Sequence, residues 1–299
     1  MSKFWFVRFP FECRKVGTPE KYAAYVRKCA GEPQAAYFER NARQAGAYPQ
    51  GPDGGWRYRF ERLPVHDQLL KAYALGEIAG QGDAFTRALR VMDWLTAHTW
   101  YRGMSFWSTL FNTSYFSGKG FTSLHMLRFA WDAPFSRSIN CGHKAYLLAD
   151  CLLAVGMHAM PVSFNNYTYR PGEEKVVPCP NHSVVHLWLP EESRWVMLDP
   201  SFNSWIDDGA GRALNLVEIQ GRHRSGEEIR VAQYNFNGTQ ECRAEYLAGF
   251  VLGSLLEIAL EDGARRNGSL RNVLLPEDVP HTDEKRRYIT AAELLAEPM

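Results

Sequence analysis

An α+β fold, in which helices pack on an antiparallel sheet, is the class that the sequence predicts. Two segments, 83–101 and 138–155, carry apolar residues at helical spacing. Two later segments, 158–164 and 182–200, carry the β-branched and aromatic content of strands, and the second has a polar turn at its centre. The elements do not alternate regularly, which favours one α+β domain over a doubly wound parallel sheet.

The segment "DAFTRALRVMDWLTAHTWY" (83–101) predicts an amphipathic helix. Asp83 precedes it, and an aspartate at this position caps a helix because its carboxylate accepts a hydrogen bond from a first-turn amide. One face of the predicted helix is apolar and is expected to be buried; it consists of Ala88, Leu89, Met92 and Leu95.

The segment "SINCGHKAYLLADCLLAVGMHAMPVSF" (138–164) predicts a second helix that leads into a strand. Ser138 or Asn140 is expected to cap the helix, and Gly156 to end it. Its apolar stripe consists of Ala145, Leu148, Ala149 and Leu152. In the strand at 158–164, Pro161 predicts an edge or bulge position because proline cannot donate a ladder hydrogen bond.

The segment "HSVVHLWLPEESRWVMLDP" (182–200) predicts a β-hairpin with the polar turn "PEES". His182 and His186 share one face of its first strand. If Leu189 pairs with Arg194 across the turn, Asp199 lies diagonal to both histidines and within reach of either. A shorter turn would place Asp199 opposite His182. Register alone therefore leaves both histidines open as partners of the aspartate.

Three regions of one domain are expected along the chain. An N-terminal extension (1–79) packs on a core (80–220), and a C-terminal extension (221–299) belongs to the same domain. In the last region the apolar run "YLAGFVLGSLLEIAL" favours a helix near 244–261. A final short helix is predicted by the capping box of "TAAE", residues 290–293.

Composition excludes several classes of function. The chain has 299 residues, of which 45% are apolar and 22% charged, as in ordinary globular proteins with a sizeable core. With 34 basic and 33 acidic residues the net charge is +1, so no global field would attract nucleic acid or an anionic membrane. The longest apolar run also contains Glu257 and is too short for a bilayer. We expect neither a nucleic-acid nor a membrane partner.

The first residues, "MSKFWFVRFPFECRK", do not predict a signal peptide. Arg8 and Pro10 interrupt the apolar run, and no small-residue cleavage site follows. We therefore expect a cytoplasmic protein. In that compartment the six cysteines would be mostly reduced, and their spacing suggests no disulfide framework.

Two of the cysteines lie in the second predicted helix and differ in position. Cys151 falls in mid-helix among leucines, where a cysteine packs as a small apolar residue. Cys141 falls in the first turn, where free amides and the helix dipole favour a thiolate. The Cys141 amide could also stabilise a developing oxyanion. A nucleophilic cysteine further needs a base and a group that orients the base, and the hairpin supplies candidates for both.

A metal site is the alternative for these histidines and cysteines, and the sequence does not favour it. His182 and His186 lie about 13 Å apart along a strand and cannot share a zinc ion. Ser183 replaces the glutamate of an HExxH motif, and the chain has no repeated CxxC pattern. Phosphate-loop and GxSxG motifs are also absent from the sequence. We expect no metal and no cofactor.

In this order and spacing, the motifs resemble those of the transglutaminase-like superfamily of papain-like thiol enzymes. The matching pieces are "NCGHKAYLLADCLLAVGMHAMPVSF", "HSVVHLWLPEESRW" and "VMLDPSFNSW", within about residues 80–205. The resemblance implies a papain-like core in which Cys141 is the nucleophile. Because the family histidine opens its strand, His182 is the implied base and acid, and Asp199, seventeen residues later, orients it.

The family often takes a second oxyanion donor from upstream of the cysteine, and Trp107, with Asn112 behind it, is the candidate here. Acidic loop clusters and flanking β-sandwich domains, which calcium-dependent animal transglutaminases have, are not recognisable in this sequence. These departures argue against protein cross-linking and against a calcium requirement, and the resemblance is to bacterial-type members. It implies acyl transfer on a peptide, protein or small amide: hydrolysis first, transfer to an amine as the alternative, and a non-catalytic binding module as a third reading. The sequence does not indicate the oligomeric state.

Overall fold

A computed structural model describes residues 60, 62–101, 123–131, 138–165, 182–241, 243–252, 255, 257–260, 271–274 and 286–298. The helices are α1 (Pro64–Tyr73), α2 (Leu75–Ala79), α3 (Ala84–His98), α4 (Ser123–Ala130), α5 (Cys141–Ala154), α6 (Leu216–Ser225), α7 (Arg243–Glu245), a π-helix (Tyr246–Val251) and α8 (Ala291–Leu294). The strands are β1 (Ala159–Asn165), β2 (His182–Leu189), β3 (Arg194–Leu198), β4 (Trp205–Asp207), β5 (Arg230–Gln233), β6 (Glu257–Leu260), β7 (Arg271–Leu274) and β8 (Arg286–Tyr288).

The main sheet has six strands in the order β3-β2-β1-β6-β7-β8. Its neighbours pair antiparallel except β7 and β8, which are parallel. Helix α5 packs on β1 and β2. The mixture of helices and a mainly antiparallel sheet confirms the α+β class, whereas the papain-like assignment of the core stays a prediction.

Apolar side chains cover both faces of the sheet, which explains why β2 is buried along its whole length. Alternate residues of a strand point to opposite faces. On one side, Val185, Leu187 and Leu189 pack against helices α1 to α5. On the other side, Val184 and Trp188 pack against side chains of β3 and of elements from β4 to α8. Strand β2 therefore lies in the centre of the apolar core, and a polar side chain at its start is shielded from water.

Capping side chains fix the beginnings of the two long helices. Asp83 accepts a hydrogen bond from the Thr86 amide at 2.7 Å, as the sequence predicts. Of the two residues predicted to cap α5, Asn140 does so, by accepting from the His143 amide at 3.0 Å. Helix α5 therefore begins at Cys141, the residue directly after its cap.

Helix α3 ends earlier than the sequence predicts. It stops at His98, and the next residue, Thr99, has an extended φ of −138°. Tyr101, which the pattern assigns to the helix, instead forms a parallel bridge with Ile139. Aromatic residues continue the apolar pattern past the last turn, but the backbone there pairs with the chain just before α5.

Of the two hairpin registers that the sequence allows, the structure has the one without the shorter turn. Leu189 pairs with Arg194, and the pairing continues to Val185 opposite Leu198. The next pair in this register would be Val184 with Asp199, so the aspartate follows the end of β3 on the face that the sequence predicts.

The interpretation of Pro161 as a marker of an edge strand is wrong. Strand β1 lies inside the sheet, between β2 and β6. Pro161 pairs with Val185 of β2, but the pairing with β6 begins only at Val162, opposite Leu260. The missing proline N–H is tolerated because this position lies just outside the stretch that β6 covers.

The predicted helix near 244–261 is wrong in its second half. Residues Tyr246–Val251 form a π-helix, and Glu257–Leu260 form strand β6. Ile258 and Ala259 are buried between β1 and β7. A strand covered on both faces has a continuous apolar sequence, which periodicity cannot distinguish from a buried helix. The predicted final helix, with its capping box at Thr290, is confirmed as α8.

None of the described helices combines the length and apolar character that a bilayer span requires.

Candidate active site

Cys141 is the first residue of helix α5, and its side chain is partly exposed. The Asn140 cap binds the third amide of the helix, that of His143, and not those of Cys141 and Gly142. The thiol therefore lies at the positive end of the helix dipole, next to first-turn amides that an anion could accept from.

His182 is the first residue of β2, and Asp199 follows the last residue of β3. The His182 Nε2 atom lies 2.7 Å from Asp199 Oδ2. Both side chains are removed from water, with exposed fractions of 1% for the histidine and 0% for the aspartate. A buried carboxylate needs a partner that supplies protons or charge, and here the imidazole is one such partner.

The Cys141 thiol lies near enough to the His182 ring to influence its protonation. Since Nε2 is engaged with Asp199, Nδ1 is the nitrogen left for the thiol. Burial acts to lower the pKa of His182, but Asp199 and Cys141 together outweigh it and raise this pKa from 6.5 to about 9. The imidazole is therefore held in its charged form at neutral pH.

Two further groups bind the Asp199 carboxylate. The Ser201 amide donates to Oδ1 at 2.8 Å, and the Tyr246 hydroxyl donates to Oδ2 at 2.9 Å. Tyr246 in turn accepts from Ser204 Oγ at 2.7 Å. The backbone also helps, because Asp199 and Ser204 exchange two N–H to C=O bonds of 2.8 and 2.9 Å. These bonds fix the position of the aspartate independently of its contact with the histidine.

Burial and the nearby Asp199 charge raise the pKa of Tyr246 well above its ordinary value, so its O–H stays a donor. Tyr246 is the first residue of the π-helix. Single turns of π-helix are often found at functional sites.

Three aromatic rings surround the His182 imidazole. Ring centroids of Phe164, Phe202 and Tyr101 lie 5.5, 5.7 and 6.5 Å from that of the histidine, all in edge-to-face arrangements. They come from β1, from the turn after Asp199 and from the bridge before α5. These rings exclude water from the imidazole and strengthen its electrostatic contact with the aspartate.

His186, the other histidine that register leaves open, does not contact Asp199 in this way. Its Nε2 accepts a hydrogen bond from the Leu216 amide at 3.3 Å. Burial lowers the pKa of His186 to about 3, so the ring is neutral over the physiological range. The structure therefore brings His182, and not His186, into contact with Asp199.

The other cysteine of the helix, Cys151, is fully buried. Burial first, and the neighbouring Asp150 charge second, raise the pKa of its thiol far above the ordinary value. It is part of the apolar core under the sheet. The predicted contrast between the two cysteines is present in the structure: one is partly exposed at a helix start and the other is enclosed.

The candidates for a second oxyanion donor, Trp107 and Asn112, lie outside the described residues, and their role stays a prediction. The predicted catalytic roles of Cys141, His182 and Asp199 likewise stay predictions, although their side chains meet. Among the residues that the structure describes, no group of three or more His, Cys, Asp or Glu could hold a metal ion.

Sequence reasoning missed two side chains that touch or neighbour this site. Tyr246 lies 47 residues after Asp199, and nothing in the local pattern links the two. Lys144 does carry a signal: it is a lysine inside the apolar stretch "CGHKAYLLADCLLA", three residues after Cys141. A charged residue at an inward-facing position of a helix start is unusual and could have been noticed.

No protein-family model matches the sequence, and no curated protein matches it. Among solved structures, one match is a crystal structure described as "a putative protease" from Parabacteroides distasonis. The identity is 12% and the TM-score 0.28, and the match covers 47% of this chain and 26% of that chain. Similarity at this level carries no argument about fold or activity, so any function has to be argued from the residues themselves.

Proposed function

We propose that this chain is a cysteine-dependent acyl-transfer enzyme of the transglutaminase-like superfamily that hydrolyses an amide or peptide bond through a thioester on Cys141. One observation carries the proposal. A partly exposed cysteine at a helix start lies beside a buried histidine, and the Nε2 atom of that histidine lies 2.7 Å from a buried aspartate. Covalent acyl transfer requires a nucleophile, a base next to it and a group that orients the base, and these three residues are arranged in that order.

In the first half-reaction the Cys141 thiolate attacks the substrate carbonyl carbon. The carbon–sulfur bond forms, and the carbonyl electron pair moves to oxygen, giving a tetrahedral oxyanion. When the oxyanion collapses, the carbon–nitrogen bond breaks, and the leaving amine takes the proton from the His182 imidazolium. The products are a free amine, a neutral imidazole and a thioester on Cys141.

In the second half-reaction the neutral His182 takes a proton from water as the water oxygen attacks the thioester. The carbon–sulfur bond breaks, the acid is released, and the thiolate and imidazolium are restored. Asp199 holds Nε2 throughout, so that Nδ1 faces the sulfur and the charged ring is stabilised.

Oxyanion stabilisation is assigned to the first turn of α5. The Cys141 amide lies at the helix start, where the cap binds a different amide. Trp107 or Asn112 is the proposed second donor.

The first experiment is selective labelling of the native protein. We expect limiting iodoacetamide at about pH 6 to modify Cys141 before any other cysteine, since ordinary thiols are then almost wholly protonated. Peptide mapping by mass spectrometry identifies the modified residue. His182→Gln is the matched control and should remove the selectivity. If Cys141 reacts no faster than Cys151 or Cys242, it is not the nucleophile.

The second experiment separates hydrolysis from amine transfer and from mere binding. An activated acyl ester or amide is supplied with and without a primary amine, and the products are weighed by mass spectrometry. Hydrolysis predicts the free acid in both cases, through an acyl adduct on Cys141. An amide product at modest amine concentration would favour transfer instead. A non-catalytic binding module would give neither adduct nor turnover.

A further inference from the structure

We propose that Lys144 is a positioning residue for the Cys141, His182 and Asp199 site: a buried cation that balances the aspartate charge and thereby favours the thiolate–imidazolium pair. The inference rests on the proposed function of Cys141 and adds a fourth group to it.

The first argument is the position of the lysine. Lys144 lies three residues after Cys141, and residues at this spacing are neighbours on a helix surface. Its exposed fraction is 1%, and it is among the largest fully buried side chains of the described residues. A buried ammonium is costly unless other groups compensate it.

The second argument is the way in which the amine is held. Nζ donates to the Thr99 carbonyl at 2.8 Å. The chain that follows Thr99 leads directly to the site: the Trp100 carbonyl accepts from the Ile139 amide at 3.0 Å, and the Tyr101 ring lies against the His182 imidazole. Lys144 thus links helix α5, which carries the cysteine, to the segment whose Tyr101 ring packs beside His182.

The third argument is the balance of charge. A thiolate, an imidazolium and a carboxylate sum to one negative charge in a largely buried site, and one ammonium neutralises it. Burial lowers the pKa of Lys144 to about 7, and the Asp199 carboxylate is the charge that acts in the opposite direction. The charge of Asp199 thus acts on the lysine, and Lys144 is fully protonated only below neutral pH, which is the range in which it can balance the site.

Other titratable groups near the start of α5 do not supply this charge. Burial lowers the pKa of His143 to about 4, and the pKa of Tyr246 is raised, so both are neutral at pH 7. His66 and Asp150 pair with each other nearer the other end of the helix. Of the groups described around the cysteine, Lys144 is the one that can add a second positive charge to that of the His182 imidazolium.

The test compares the pH profile of Cys141 alkylation in the wild type and in variants. In Lys144→Met, which keeps the length but loses the charge, we expect the midpoint of the profile to rise by about one pH unit. This makes alkylation at a fixed acidic pH roughly tenfold slower, as expected for losing one charge a few ångströms away. Lys144→Arg keeps the charge and should stay near the wild-type midpoint. The melting temperature is measured in parallel.

A second measurement needs no variant. In wild-type protein with isotope-labelled lysine ε-carbons, one resonance should titrate near neutral pH, well below the other lysines, and alkylation of Cys141 should lower its midpoint by removing a negative charge.

The outcomes are distinguishable. If Lys144→Met melts at a lower temperature but keeps the wild-type alkylation midpoint, the lysine is only a structural anchor and the inference is overturned. A lysine resonance that does not respond to Cys141 alkylation overturns it as well, even if the variants fail to fold. If wild-type Cys141 shows no selective alkylation, the proposed function itself fails.

Discussion

Helix α5 carries one cysteine near each end, and a histidine–aspartate pair lies near each cysteine. Near the start, His182 and Asp199 meet at 2.7 Å with both side chains out of water. In the second half, His66 Nε2 lies 3.3 Å from Asp150 Oδ1, and the Asp150 side chain is 15% exposed. The same residue types thus occur twice beside one helix, with different consequences.

The difference lies in the second nitrogen of each histidine. His66 Nδ1 accepts from the Leu63 amide at 3.1 Å, so Nε2 carries the proton and donates to Asp150. Both nitrogens are used, and none is left to act as a base. Asp150 also accepts from Ser123 Oγ, so this pair fastens α1 and α4 to α5. At the other end, His182 keeps Nδ1 for a partly exposed thiol. A histidine–aspartate contact becomes chemically useful only when the remaining nitrogen faces a reactive group.

Removing each thiol is the most severe test of this comparison. We expect Cys141→Ala to lower kcat/KM by about 10⁴-fold or more, because the thioester cannot form. Cys151→Ala should change kcat/KM by no more than about threefold and lower the free energy of unfolding by roughly 1–2 kcal/mol through a small cavity. Initial rates and denaturant unfolding measure the two effects. A large rate loss in Cys151→Ala at full folding would contradict the distinction.

Neutralising each aspartate tests the two pairs. Asp199→Asn should lower kcat by about 10²- to 10⁴-fold, because an amide neither stabilises the imidazolium nor fixes its orientation. Asp150→Asn should keep the rate within a few-fold and lower stability by about 1–3 kcal/mol, as for a weakened buried hydrogen bond. Steady-state rates of the folded variants decide. Equal rate losses in both would mean that the two pairs do not differ in function.

The pH dependence of stability should also differ between His182 and His186. The pKa of His182 is raised from 6.5 in the unfolded chain to about 9, so its contribution is complete below pH 6.5 and is lost as pH rises through about 9. It amounts to a few kcal/mol. The pKa of His186 is lowered to about 3, so this neutral histidine makes the protein less stable as pH falls below 6.5.

Unfolding free energies of His182→Gln and His186→Gln, measured against the wild type from about pH 5 to pH 9, check these opposite signs. The stability that the wild type has over His182→Gln should shrink toward high pH. The stability that it has over His186→Gln should shrink toward low pH. Parallel curves for the two variants would show that His182 is not held in its charged form.

The sequence predicts the local elements of this site better than its enclosure. The caps Asp83 and Asn140, and the register that leads Asp199 to the hairpin face, depend on neighbours in the chain and were predictable. The choice between His182 and His186 was not, because register permits both; only the resemblance to a family favoured His182. The partners that come from far along the chain, such as Tyr246, left no spacing to detect, and the apolar run that contains Tyr246 was interpreted as a single helix.

Removing the Tyr246 hydroxyl should have the smallest effect of these changes. It tests whether a single donor to Asp199 affects the rate when a donor to Asp150 affects only stability. Tyr246→Phe deletes the 2.9 Å bond to Asp199 Oδ2, the oxygen that also lies against His182 Nε2, and leaves Ser204 Oγ without its acceptor. We expect roughly a three- to tenfold lower kcat and a loss of about 1–2 kcal/mol in stability. Ser123→Ala, which removes a donor to Asp150, is the matched control and should lower stability alone. Because Asp199 keeps the Ser201 amide and the imidazole, the remaining bonds limit the loss. An unchanged kcat in Tyr246→Phe would mean that these bonds alone orient the aspartate and that the tyrosine only fills space.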